Sequence, residues 1–332
     1  MRIIKKLRPP AFAKARGGKK RVLDRLRAFL NAEEAKTIKW LTSLWDKQAS
    51  AITYKELREA YLSGGINPGQ IEEWQKGYAQ LVNGVLAPQW RKAMEAAAEG
   101  IKRQYPYFNY DPSVGAAQEY IKQHGAELVT NLAQSQREAL NAMIARGAYY
   151  NAMGADEMAR IMRPCIGLTK PQAAANLNYY SAVKESLLKN HPKMAAENAE
   201  KKAREKAVRY AERQHRYRAR TIARTELAAA YNQGHYGAAK DAQAKGYIGD
   251  CKKIWLTADD GIVCPICSEM DGEERNMEDM FSIGVHLPPA HPGCRCAVAY
   301  EEVSGPVVAG TGENAIMEPN YPPPASAPGS VT

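Results

Sequence analysis

Two short motifs in this 332-residue chain hold side chains that can grip a soft metal ion: Cys264-Pro265-Ile266-Cys267 and, 23 residues later, His291-Pro292-Gly293-Cys294-Arg295-Cys296. A C-x-x-C pair bends tightly enough for both thiolates to reach one ion, and a second close-set group completes a tetrahedron. Cys294 and Cys296 are expected on the same side of a strand, and the Pro-Gly turn after His291 can swing its imidazole back. Two ligand sets follow: three cysteines with His291, or four cysteines with His291 behind them. Either set fills every position with protein and leaves none open for a reactive water, which predicts a structural ion, one per chain. Zinc is the default for sulfur with imidazole. A redox C-x-x-C opens a helix after a strand in an α/β domain, whereas this one follows the acidic turn Asp259-Asp260-Gly261. Disulfides belong to oxidising compartments, which nothing in the sequence implies. Cys165 and Cys251 lie outside the ligand spacing and receive no role, and His286 is close by but competes with five better ligands.

The elements around the cluster set its position. A strand is expected at Lys253–Thr257 and a closing strand at Ala297–Tyr300, so the metal segment forms a small α+β end. Everything before residue 250 reads as helix. Apolar residues recur at spacings of three and four from Arg21 to Ala60. A second helix runs from about Gln70 to Gly100, with Pro88 as a kink or break. Helices follow over 114–132, 135–150 and 158–162, and Thr169 is an N-cap for another. The aromatic segment 104–113 is expected to be a packed turn between helices. The longest pattern, 193–246, would span roughly 75 Å as one helix, so a bend or break is expected near Arg220 or Gly234. The fold class is therefore mainly α. It comprises a basic flexible arm (1–20), an elongated helical body (21–192), a long helix with the zinc-binding domain (193–302) and a disordered tail (303–332).

Charge divides the chain. The net charge is +10, yet residues 1–21 carry nine Lys or Arg and no acid. Residues 193–224 carry eleven bases against four acids, and 250–302 carry four against eleven. Clustered cations on an arm and a helix are the footprint of a phosphate backbone, so non-specific DNA contact is expected there. No apolar segment of membrane-spanning length is present, and Met1 to Arg21 lacks the apolar core of a signal peptide. Synthesis in a cytoplasm and no membrane partner are expected.

The order of features from about 218 to 300 resembles one family. A helix carries Ala223-Arg224-Thr225-Glu226 and Asn232, and a glycine-containing link leads to Trp255 and Thr257. Asp260 precedes Val263-Cys264-Pro265-Ile266-Cys267, and Asp271-Gly272 follows. The stretch closes with Pro288-Pro289, His291-Pro292 and Cys294-Arg295-Cys296. This is similar to the phage head morphogenesis family, the minor head proteins typified by protein F of phage Mu. The resemblance implies a capsid-interior virion protein that associates with the portal, the major capsid protein and packaged DNA.

Catalysis is not expected. Arg224 and Glu226 diverge by about 200° around a helix and cannot act as one pair. Thr225 and Asn232 share a helical face, where hydrogen bonds to the metal domain are the expected role. No G-x-S-x-G, P-loop or H-E-x-x-H is present. The competing functions are a zinc-containing DNA-binding module and a metal-dependent DNA-processing enzyme using Asp259, Asp260, Glu269 or Asp271. Thiolate-rich sites seldom serve the latter.

Overall fold

The computed structural model describes residues 16–149, 153–258 and 263–303. Among the described residues, eight α-helices precede a small sheet. They are α1 (Arg16–Ala51), α2 (Tyr54–Ser63), α3 (Pro68–Leu81), α4 (Ala87–Gln104), α5 (Gly115–Tyr149), α6 (Ala155–Met162), α7 (Lys170–Asn190) and α8 (Ala196–Ala244). Strand β1 (Cys251–Leu256), helix α9 (Pro265–Glu269), β2 (Glu274–Asn276) and β3 (Ala297–Glu302) complete the fold. The mainly α class with a C-terminal three-stranded sheet is as the sequence implies. Residues 1–15 of the expected arm, the turn 259–261 and the tail from 304 lie outside the described residues, while Arg16–Lys20 are helical.

The helix boundaries differ from the sequence reading in four places. The first helical stretch divides at Ile52, because Thr53 caps α2. Glu56 reaches back to accept from the Thr53 amide at 2.7 Å, a capping box. Pro88 does not break its helix. Val82–Leu86 form a π turn, and that wider turn takes up the amide Pro88 lacks and the room its ring needs. Helix α5 runs on through Ala133 and Gln134 because polar Gln136 is fully buried. Gln136 accepts from Tyr78 Oη at 2.7 Å, which accepts from Trp45 Nε1 at 2.9 Å. The expected start after Thr169 holds, with Gln172 accepting from the Thr169 amide at 3.1 Å.

The fourth difference is α8, which is continuous across Arg220 and Gly234. Gly234 is small for another reason: a Cβ there would lie 2.2 Å from Met94 Cα. The glycine lets α4 and α8 cross with their backbones nearly touching. Helix α8 also packs on α1 and α7, so it is the hub of the helical body. The aromatic segment is a packed turn at its end. Phe108 and Tyr110 are buried, and Tyr247 sits 5.8 Å from Tyr105 and 5.5 Å from Phe108.

The sheet has order β2-β1-β3, antiparallel throughout, with Trp255 opposite Val298 and Lys253 opposite Tyr300. One face, Ile254, Leu256 and Ala299, packs on Val22 and Leu23 of α1. The other face, with Trp255, Val298 and Tyr300, joins the main core together with Cys267, Cys294 and Cys296. Thus one hydrophobic core extends from the helical body to the cysteine cluster.

Candidate metal centre

Helix α9 is short, and its N-cap is Cys264. The Cys264 sulfur accepts from the Cys267 amide at 3.4 Å, the N–H to sulfur contact a thiolate ligand needs at such a turn. The C-x-x-C thus opens a short helix after a strand, a placement that the sequence reading keeps for a redox pair. Cys267 is buried and its sulfur stands 3.8 Å from that of Cys294. The Pro292-Gly293 turn returns the His291 ring, and its Nε2 lies 3.1 Å from Cys264 Sγ and 3.3 Å from Cys267 Sγ. His291 Nδ1 is 3.0 Å from the Pro292 carbonyl, which sets the tautomer that leaves Nε2 for a ligand. Cys294 and Cys296 do not lie on a strand, since β3 begins at Ala297. They converge all the same: Cys264, Cys267 and His291 form one group of potential ligands, and Cys267, Cys294 and Cys296 another.

Cys267 belongs to both groups and is the centre of the cluster. The residues fit a tetrahedral thiophilic ion. Zn–S bonds of about 2.3 Å put ligand sulfurs about 3.8 Å apart, the spacing of Cys267 and Cys294. That separation is also far beyond a disulfide bond of about 2.05 Å. The thiols themselves are unequal. The Cys267 amide holds Cys264 below the ordinary thiol value, and a hydrogen bond from Cys296 does the same for Cys294. Burial pushes Cys267 up, and the hydrogen bond with Cys294, added to burial, pushes Cys296 up. A cation at the centre would remove that conflict by favouring thiolate throughout.

Helix α8 supplies the outer support. Thr225 Oγ1 accepts from the Gly293 amide at 2.8 Å, in the turn that aims His291. Asn232 Nδ2 donates to the Cys296 carbonyl at 3.2 Å, and its Oδ1 accepts from the Val298 amide at 3.2 Å. His235 Nδ1 is 3.0 Å from the Val298 carbonyl, with its ring edge-on to Tyr300. Burial lowers the His235 pKa to about 4, so the ring is neutral and donates from Nδ1. The shared face of Thr225 and Asn232 is legible in the sequence. His235 escapes that reading, although it stands three residues beyond Asn232 on the same face. Arg224 and Glu226 diverge as expected: Arg224 Nη2 pairs with Glu34 of α1 at 2.8 Å, and Glu226 with His124 of α5 at 2.6 Å.

The remaining candidates sit elsewhere. His286 Nε2 is 3.0 Å from the Met277 carbonyl, away from the sulfur cluster. The His286 carbonyl accepts from Lys253 Nζ at 3.0 Å, and burial draws that lysine's pKa down to about 8. Cys165 and Cys251 are buried at separate places. Asp271 Oδ1 accepts from the Thr257 amide at 2.9 Å and closes the loop after β1. No helix among the described residues is long and apolar enough to cross a membrane.

No curated protein and no solved structure matches this chain. Residues 137–299 match the family model described as Phage Mu protein F like protein, a span that holds all of α7, α8 and the five clustered candidate ligands. Through those residues, just under half of the chain, it is similar to the Phage Mu protein F like family.

Proposed function

We propose that this protein is a minor head protein of a tailed bacteriophage, a structural component of the virion rather than an enzyme. It acts inside the capsid, where it associates with the portal, the major capsid protein and packaged DNA. The observation that carries this reading is the family match across both the long helix and the ligand loop. In it, Cys264, Cys267 and His291 with Cys294 or Cys296 hold one zinc ion per chain. The ion would tie α9 to the segment before β3 and fix the C-terminal sheet against α8.

DNA contact is supported by a stripe on α8. Lys202, Lys206, Arg209, Arg213, Arg216 and Arg220 recur at alternating spacings of four and three and are all exposed. At 100° per residue they fall within about 40° of one line, roughly 27 Å long. None of the six is in an ion pair among the described residues; the carboxylates that touch α8 cations elsewhere meet Arg204, Arg224, Lys240 and Lys245 near its end. Uncompensated cations in a row suit a phosphate backbone and carry no sequence information. The expected basic arm would add to this interaction.

A metal-dependent DNA-processing enzyme is the second reading. It is less favoured because all five candidate ligands are sulfur or imidazole, and Asp271 is already used by the Thr257 amide.

Two measurements test the proposal. Elemental analysis of purified protein should find about one zinc per chain in the wild type and far less in Cys264→Ser; a metal-free, reduced wild type would remove the zinc. In purified phage particles the protein should resist external protease until the heads are opened. Its absence from particles, or cleavage in intact ones, would overturn the capsid-interior role.

A further inference from the structure

The cationic stripe on α8 has two unlike flanks. At 100° per residue, Tyr210 and Tyr217 lie about 60–80° to one side of its centre line, and Glu205 and Glu212 about as far to the other. Both carboxylates are exposed, and neither is in an ion pair among the described residues. A chain of phosphates running along the cations is therefore turned away from the carboxylate flank and towards the tyrosines.

The two tyrosines differ in what they already touch. Tyr210 stacks on Tyr179 of α7 with ring centres 4.9 Å apart, and the Arg213 guanidinium lies 5.4 Å from the centre of the Tyr210 ring. That cation–π contact holds Arg213, a member of the row, against its own helix. Tyr217 is 68% exposed. Its side chain has no ring, cation or hydrogen-bond partner among the described residues. Arg213, Arg216 and Arg220 stand around it in the sequence, yet none of them covers its ring. A single exposed aromatic is ordinary on a protein surface. An uncovered ring within a row of unpaired guanidinium groups is a different matter, because that combination suits an unpaired strand. The cations track the backbone and the aromatic face takes a base. A duplex keeps its base faces stacked inside and can use the cations alone.

We infer that the stripe binds single-stranded DNA in preference to duplex, with an unpaired base stacked on Tyr217. The inference rests on the reading of α8 as a DNA-contacting surface and adds the class of strand. The cations contribute affinity that falls with salt, whereas the stacked ring contributes affinity that salt does not screen.

Fluorescence anisotropy of the full-length protein tests this, with labelled oligothymidylate and a duplex of equal length over a series of salt concentrations. The single strand should bind more tightly. Tyr217→Ala should weaken single-strand binding by about tenfold at every salt concentration, the loss of one stacked base. The slope of log affinity against log salt should not change, nor should the affinity for duplex. Tyr217→Phe keeps the ring and should bind as the wild type does. Alanine is the best helix former and the position is exposed, so the Tyr217→Ala variant should keep its fold, which circular dichroism checks. Arg213→Gln/Arg216→Gln should flatten the slope for both forms of DNA. Equal affinity for the two forms would overturn the inference and leave DNA contact by the stripe standing. So would a single-strand affinity that Tyr217→Ala leaves unchanged or lowers only in step with that for duplex. Binding to neither form would overturn both readings.

Discussion

The two halves of α8 do opposite work with one uninterrupted backbone. From Ala196 to Arg220 the buried side is mostly alanine, with Ala199, Ala203, Ala207 and Ala211 at 0–1% exposure, and the outer side is the cationic stripe. From Thr221 to Ala244 nearly every turn is enclosed. Leu227, Tyr231, Asn232, Gly234 and His235 are all buried, and the polar groups reach partners 63 to 68 residues further along the chain. Small side chains let the first half lie close to its neighbours while its charges stay in water. The second half is a scaffold whose hydrogen bonds hold the ligand loop and β3. Stability should therefore suffer most from changes to the second half and its metal loop, and affinity for polyanions from changes to the first.

The largest expected effect is at the loop that the second half holds. Cys267 is shared by both ligand groups, so Cys267→Ser should abolish metal binding and, with it, folding energy on the order of 10 kcal/mol. The sheet should become open to amide exchange while the helical body, cored by Trp45, Trp74 and Trp90, keeps its protection. Unchanged exchange in β1 and β3 would mean that α8 alone fixes the sheet. Next in size is Asn232→Ala. It leaves the Cys296 carbonyl and the Val298 amide buried without the partners they now have, and should cost about 2–3 kcal/mol in urea unfolding. A cost near zero would show that the loop is held by its metal and not by the helix.

The sequence showed the cluster and its support more readily than the path of the helices. The five candidate ligands declare themselves by residue type and spacing, and Thr225 and Asn232 by a shared helical face. Gly234 misleads because a glycine in a helix reads as a break. Its actual reason, the approach of Met94, belongs to a residue 140 positions away in sequence. Gln136 likewise reads as surface until Tyr78 and Trp45 give it buried partners. The three-residue β2 and five-residue α9 are too short to show a period.

A smaller, pH-dependent effect sharpens the same contrast. Burial holds the His235 pKa at about 4, against about 6.5 for a free imidazole. On acidification the unfolded chain takes up the proton first, so stability is lost as pH falls from about 6.5 towards 4. At pH 5 this group alone should cost about 2 kcal/mol relative to pH 7.5. His124 works in the opposite sense: burial opposes its charge, but pairing with Glu226 prevails and raises its pKa. The comparison must therefore be between wild type and His235→Gln, whose unfolding free energy should fall less between the two pH values. Parallel pH profiles would place the acid sensitivity outside this helix face.

The smallest expected change in stability belongs to the first half of the helix, and it should come with the largest change in binding. Replacing Lys206, Arg209, Arg213 and Arg216 by Gln removes four exposed charges that have no ion-pair partner among the described residues. Surface changes of this kind stay within about 0.5 kcal/mol each. If these side chains meet phosphates, the slope of log affinity against log salt for duplex DNA should flatten by about 0.9 for each phosphate no longer neutralised. Four such phosphates would flatten it by about 3 to 4. A marked drop in stability would show that the stripe takes part in folding, and the division of labour along α8 would be wrong. An unchanged slope with unchanged stability would move DNA binding off this helix, leaving its charges as a solvated surface. A flattened slope at constant stability would separate the two halves by function as cleanly as burial already separates them.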